Sequence, residues 1–129
     1  TSPVRSRDKV LQSLYEIEIS GSDVRDILKD LSLQSKYPHF KDLLNGVISS
    51  KEAIDETLSN FMERSLPSLD PIERNTLRLA AYEMLFTDTD APIIINESIR
   101  LTKKYGSVDG HKYVNAVLDK MYKSNFQKI

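Results

Sequence analysis

Residues Asp70–Phe86, DPIERNTLRLAAYEMLF, decide how this chain is read. The stretch opens with helix-start chemistry. Asp70 is suited to cap, Pro71 fits the first helical position, and Glu73 stands three residues after the cap, placed to answer back to its amide. Both carboxylates also suit the positive end of a helix dipole. At about 100° per residue, Ile72 and Leu79 share one face, Leu77 and Met84 lie on a second, and Leu85 points to a third. A surface helix carries one apolar stripe, whereas a helix apolar nearly all round is buried. The segment predicts a central core helix.

Downstream, Thr87–Ala91 reads as a polar turn and Pro92 as the start of another helix. Ile93-Ile94-Ile95 alone suggests a buried strand, because β-branched residues favour sheets. The NESIRLTKKYG that follows argues for a helix instead. Ile95, Ile99, Leu101 and Thr102 keep helical spacing, Lys103 and Lys104 suit a helix C-terminus, and Gly106 suits the position after it. A last helix starts near Asp109 and turns Val114, Val117, Leu118 and Met121 inward. Its other side carries Lys112, Lys120 and Lys123, with Tyr113 on the rim.

Upstream, residues 4–19 place Val10, Leu14 and Ile17 at helical spacing, with Arg5, Lys9, Gln12 and Glu16 along the polar side. Arg7 falls beside the apolar stripe. Gly21 reads as a stop, and Ser22 or Asp23 as the next cap. Val24, Ile27, Leu28 and Leu31 predict one short amphipathic helix ending near Ser35. Tyr37-Pro38 marks a break. Phe40, Leu43, Leu44, Val47 and Ile48 form a further stripe; Ile54, Leu58, Phe61 and Met62 form another, behind a capping box at Ser49–Glu52. Whether these two are separate helices or one bent helix stays open. Ser65–Leu69, SLPSL, is the clearest linker, and it sets an N-terminal subdomain at 1–66 and a C-terminal one at 67–129.

The chain has 129 residues, 40% of them hydrophobic, enough for one compact domain with a real core. No apolar run approaches the roughly 18–20 residues of a membrane span, and no secretory leader is visible. Zero cysteines exclude disulfides and thiolate metal sites and fit a reducing compartment. The chain begins at Thr1 without Met, which leaves open native residues ahead of it. A net charge of −1 hides an uneven distribution: +2 over residues 1–12, −8 over 13–99, and +5 over 100–129. Basic ends around an acidic middle suggest two unlike faces, one suited to phosphate.

Constellations for catalysis are missing. His39 and His111 have no ligand-spaced neighbours, four scattered glycines make no phosphate loop, and no nucleophile motif is present. No enzyme, cofactor or metal is expected. Glu83 projects onto the apolar face of Ile72 and Leu79. A catalytic acid is one reading, but buried polar groups are nearly always hydrogen-bonded, so a structural carboxylate is favoured.

DPIERNTLRLAAYEMLF, IIINESIRLTKKYG and DGHKYVNAVLDKM, in this order, together with QSLYEIE at Gln12–Glu18, resemble the NusB-type transcription antitermination factors. Asn96-Glu97 and His111–Asn115 are the most specific pieces. The resemblance implies an all-α fold of two small helical bundles packed together, with about six or seven helices. It implies a cytoplasmic protein that binds boxA-type single-stranded RNA with NusE, ribosomal protein ten of the small subunit. Other antitermination factors and RNA polymerase are implied partners, no membrane is, and a homodimer is open.

Carried over by position, Arg5, Arg7, Lys9 and Gln12 match the family's arginine-rich start, although Pro3 and Val4 stand where relatives often carry further arginines. Asp109, Lys112 and Tyr113 match the second part of its RNA surface. Tyr15, Glu73 and Arg78 match positions near the NusE-facing side. The expectation is that Arg5 and Arg7 join Lys112 and Tyr113 in one cationic patch. Two alternatives stay open: the NusB-like RNA-recognition domain of a ribosomal RNA cytosine methyltransferase, and a purely protein-binding helical adaptor. The absence of a linker or cofactor domain after the last helix favours the free-standing factor over the first.

Overall fold

The computed structural model describes residues 3–124, with side chains from Arg5 onward. The readings at Thr1, Pro3 and Val4, and the contribution of Lys128 to the basic C-terminal end, fall outside the described side chains. Among the described residues there are eight α-helices and one 3-10 turn: α1 (Pro3–Ser20), α2 (Val24–Lys29), α3 (Leu31–Lys36), α4 (Phe40–Ser49), α5 (Lys51–Ser59), the turn Leu66–Ser68, α6 (Pro71–Phe86), α7 (Ala91–Tyr105) and α8 (Gly110–Lys123). The Ile93–Ile95 run is helical. Two compact units result, Thr1–Ser49 and Ser50–Ile129.

In the first unit α1 packs on α4. Val10, Leu11 and Leu14 meet an element whose own buried side is Phe40, Leu44 and Val47. Fully burying one such side chain is worth roughly 1.5–3 kcal/mol, so this pair of stripes holds the unit. Gly21 sits at φ +70, the left-handed conformation that ends a helix at little cost to glycine. Asp23 caps α2 by accepting from the Arg25 amide at 2.9 Å.

The single helix expected over 24–35 is two helices. Asp30 both ends α2 and caps α3, its carboxylate accepting from the amides of Ser32 at 3.0 Å and Leu33 at 3.3 Å and from the Ser32 hydroxyl at 2.6 Å. Neither helix has a buried residue. The stripe Val24, Ile27, Leu28 and Leu31 therefore stays near the surface, with Leu31 75% exposed. The Ser32 hydroxyl above all, then the Leu33 and Ser32 amides with a smaller share from the Lys9 charge, hold the Asp30 carboxyl below its ordinary value of 3.8. A depressed carboxyl stabilises the fold above its unfolded pKa and loses that effect as pH falls through the folded one. Acidification below pH 3.8 is thus expected to open the start of α3, read by amide NMR as a shift at Ser32 and Leu33 ahead of the α6 amides. Simultaneous movement of both sets would show the cap to be immaterial.

In the second unit α6 is the hub and packs on α5, α7 and α8. Ten of its sixteen residues are buried, including Leu77, Leu79, Met84 and Leu85. Asp70 caps it as expected, accepting from the Ile72 amide at 2.8 Å. The answering half of the capping box does not form in the expected way. Glu73 turns to α8, its carboxylate against Gly110 and accepting from the Ser107 hydroxyl at 3.3 Å.

Further expectations change. Ser50 separates α4 from α5 without any side-chain cap bond, so the capping box at Ser49–Glu52 is not made. The SLPSL stretch is a 3-10 turn tied to its surroundings: Arg74 donates to the Leu69 carbonyl at 2.7 Å, and Leu66 and Leu69 are buried. The compact units divide earlier than this turn, because α5 lays Ile54 and Leu58 on the α6 side of the chain. In α7 the inward face is Ile94, Ser98, Leu101 and Thr102, one residue before the expected Ile95 and Ile99. Gly106 follows α7 for want of space rather than for backbone freedom: a Cβ there would lie 2.8 Å from the Thr102 carbonyl oxygen.

Candidate nucleic-acid interface

Helix α1 carries the first group of cations. Arg5, Lys9, Gln12 and Glu16 recur at three and four residues and so share one face. Arg5 is exposed, and Lys9 and Gln12 are half-buried. Arg7 departs from its expected place on this surface. It is 7% exposed and follows buried Ser6 in the chain, so most of its surface is withdrawn from solvent. The position of Arg7 next to the apolar stripe was the signal for this in the sequence. Tyr15 lies farther along α1 and is 37% exposed.

The second group lies at the start of α8. Asp109 occupies the position before the helix without a side-chain cap bond, and it pairs instead with Lys112, Oδ1 to Nζ at 3.2 Å. Both side chains are exposed, 79% and 72% respectively. An ion pair this open contributes little stability. Its consequence is electrostatic, since it offsets the charge that Lys112 presents to an anion. Beside it His111 is held through Nδ1 on the Val108 carbonyl at 3.1 Å.

Tyr113 is half-buried and accepts a hydrogen bond at its hydroxyl from the Arg64 amide at 3.3 Å. The Arg64 guanidinium lies over the Tyr113 ring, 5.5 Å from its centroid, within the range of a cation–π contact. Arg64 also donates through Nη2 to the Ser68 carbonyl at 3.1 Å. Sequence reasoning missed Arg64, which lies 49 positions before Tyr113. Its only local signal was one cation in an unassigned segment.

Two residues expected on the partner-facing side are engaged within the second unit. Glu73 is 6% exposed and closed in against Gly110. Arg78 clasps Asp55 of α5, Nε to Oδ1 at 2.9 Å and Nη2 to Oδ2 at 3.1 Å. Its side chain is 11% exposed and that of Asp55 28%. Glu83 is buried at 3%, as its place on the apolar face of α6 required. Among the described residues no group of His, Cys, Asp or Glu is arranged to hold a metal, and no helix is long and apolar enough to cross a membrane.

Among the described residues every regular element is helical, and exposed cations stand near the starts of α1 and α8. Residues 4–123 match the model of the NusB family, and the chain belongs to that family. It is 35% identical over 123 residues to the transcription antitermination protein NusB of Shewanella piezotolerans, covering 91% of each chain. Against its counterpart in Xanthomonas axonopodis pv. citri it is 37% identical over 122 residues, covering 90% of this chain and 77% of the other. Among solved structures, NusB of T. maritima superimposes with a TM-score of 0.85 at 32% identity, covering 95% of this chain and 92% of that one. A crystal structure of the antitermination factors NusB and NusE in complex with dsRNA gives a TM-score of 0.80 at 26% identity, over 96% of this chain and 99% of that one.

Proposed function

We propose that this chain is a transcription antitermination factor that binds boxA-type unpaired RNA together with NusE, ribosomal protein ten of the small subunit. The observation that carries the reading is the match, along 96% of the chain, to a NusB that has been crystallised with NusE and RNA. The local chemistry supports it. Exposed Arg and Lys supply phosphate contacts that steer and strengthen binding, and unpaired bases stack on aromatic rings and guanidinium planes. Arg5, Lys9 and Gln12 contribute from α1, and Lys112 and Tyr113 from α8.

On the protein side, Tyr15 is the open candidate for a NusE contact, while Glu73 and Arg78 shape the surface from within. The factor acts in the cytoplasm with RNA polymerase and further antitermination factors. A homodimer that covers the RNA surface would compete with this assembly. The test is a titration of labelled boxA-type RNA against a scrambled sequence, with and without NusE. Preference for boxA RNA that grows when NusE is added is the expected result. Equal binding of both sequences, with NusE making no difference, refutes the reading.

Asp109→Asn is expected to leave RNA affinity unchanged or to raise it by a few-fold, because it releases Lys112 from its ion pair and removes a charge that repels phosphate. A clear loss of affinity in the same titration would assign Asp109 a direct bond to a base.

A further inference from the structure

We infer that Arg64, held over Tyr113, is a nucleobase platform: its guanidinium plane takes an unpaired base of the bound RNA while its charge meets the adjoining phosphate. The inference rests on the proposed RNA-binding function and adds to it a residue, a chemical role and a requirement for arginine. Four observations carry it.

First, the side chain is exposed although its position is fixed from several sides. Its amide donates to the Tyr113 hydroxyl, its Nη2 to the Ser68 carbonyl, and its guanidinium rests over the Tyr113 ring. A long side chain held in this way has less freedom to lose when a ligand arrives.

Second, every one of these contacts is with a neutral group. Arg25, Arg78 and Arg100 are paired with Asp23, Asp55 and Glu97. No carboxylate among the described residues forms a salt bridge with Arg64, so its charge remains available to an anion. Fixing an arginine with a ring and a carbonyl leaves both its charge and its outer face for something else.

Third, Arg64 also lines a groove of about 460 Å³ with Met62, Leu66, Pro67, Ser59 and Ser65. The groove is open to solvent, and its lining mixes apolar carbon with hydroxyls. That mixture suits a base, which has apolar faces and a polar edge. A phosphate alone would gain nothing from Met62 and Leu66. Asp55 and Glu63 also line the groove, Asp55 being paired with Arg78.

Fourth, the platform shares its aromatic member with the start of α8. Lys112 is the immediate neighbour of Tyr113 in the chain, so a strand whose phosphate reaches Lys112 brings its next base within range of the stack. Planarity then matters. A guanidinium can stack and form hydrogen bonds at its edge together, whereas an ammonium is a point donor with no plane to stack.

The experiment is fluorescence anisotropy of a labelled single-stranded boxA-type RNA with the full chain and NusE, repeated over a range of salt. Arg64→Ala is expected to weaken binding by roughly ten-fold, in keeping with the loss of one stacked base, and to reduce the salt slope by about one phosphate contact. Arg64→Lys is expected to keep the salt slope of the wild type yet remain at least several-fold weaker. That split separates a stacking surface from a bare charge. Melting curves for both variants close to the wild type establish that neither loss is a folding defect. If the wild type binds and Arg64→Ala binds equally well, the platform is wrong and the RNA-binding function stands. If Arg64→Lys restores full affinity, the role is charge alone and the inference is overturned. A wild type that binds no RNA under any condition overturns both.

Discussion

Glu73→Lys is expected to lower stability by about 3 kcal/mol or more, the scale for breaking a buried charged arrangement, before any effect on a partner can be measured. The carboxylate is 6% exposed and sits at the N-terminal end of α8, where it accepts from Ser107. It also fills the space that glycine leaves at 110, since a Cβ there would come within 2.0 Å of its Oε1. A negative group at a helix N-terminus is favoured by the dipole. Lysine reverses that interaction, is longer than the space allows, and puts an ammonium donor where the Ser107 hydroxyl had an acceptor. Urea unfolding followed by circular dichroism measures the cost. Glu73→Gln keeps the shape and is expected to lose roughly 1 kcal/mol, the scale of one hydrogen bond. The alternative outcome is informative: a variant with lysine at 73 that unfolds like the wild type but no longer binds NusE would return Glu73 to the interface.

The second large effect is at Arg78. Its two bonds to Asp55 join α6 to α5, and both partners are mostly withdrawn from water. Truncation of one member of a fully buried pair costs about 3–5 kcal/mol. Asp55 retains 28% exposure, so water relieves part of the penalty when the arginine is lost. Arg78→Ala is therefore expected to cost about 2 kcal/mol on the same argument. The double change Arg78→Met with Asp55→Leu should recover most of it, because neither charge is then stranded. A thermodynamic cycle over the single and double variants measures the coupling. Additive single effects would mean that the pair seen in the structure contributes nothing.

Most of the fold could be read from local pattern. Asp70 and Pro71 marked the start of α6, and the apolar residues on its several sides marked its burial, because caps and periodicity act within a few residues of themselves. The helical reading of Ile93–Ile95 held because the residues after it continued a helical spacing. What failed depended on distance along the chain. Glu73 looked like a capping partner until Gly110, 37 positions on, supplied a better neighbour. Arg7 looked like a phosphate ligand, yet only the packing of α1 reveals that it is buried. Asp30 was overlooked because a single carboxylate between two apolar runs reads equally well as a solvent-facing helix residue. The Arg64–Tyr113 stack joins residues from a turn and a helix that share no sequence signal at all.

The family match, by contrast, was legible from residues alone, since INESI and DGHKYVN combine surface and core positions in a fixed order. The structure refines what that match implies. It divides the expected contacts into side chains that face water, such as Arg5 and Lys112, and side chains that are buried or paired within the protein, such as Arg7, Glu73 and Arg78.

The helix pair α2–α3 conceals no side chain and is joined by the Asp30 cap between its halves and by the Gln34 side-chain amide, which donates to the Leu28 carbonyl at 2.6 Å. Segments of this kind open in small local excursions that leave the rest of a molecule intact. Such a region places few demands on its own length or composition. It is where the chain has latitude to acquire or shed residues while the α6 hub keeps its register.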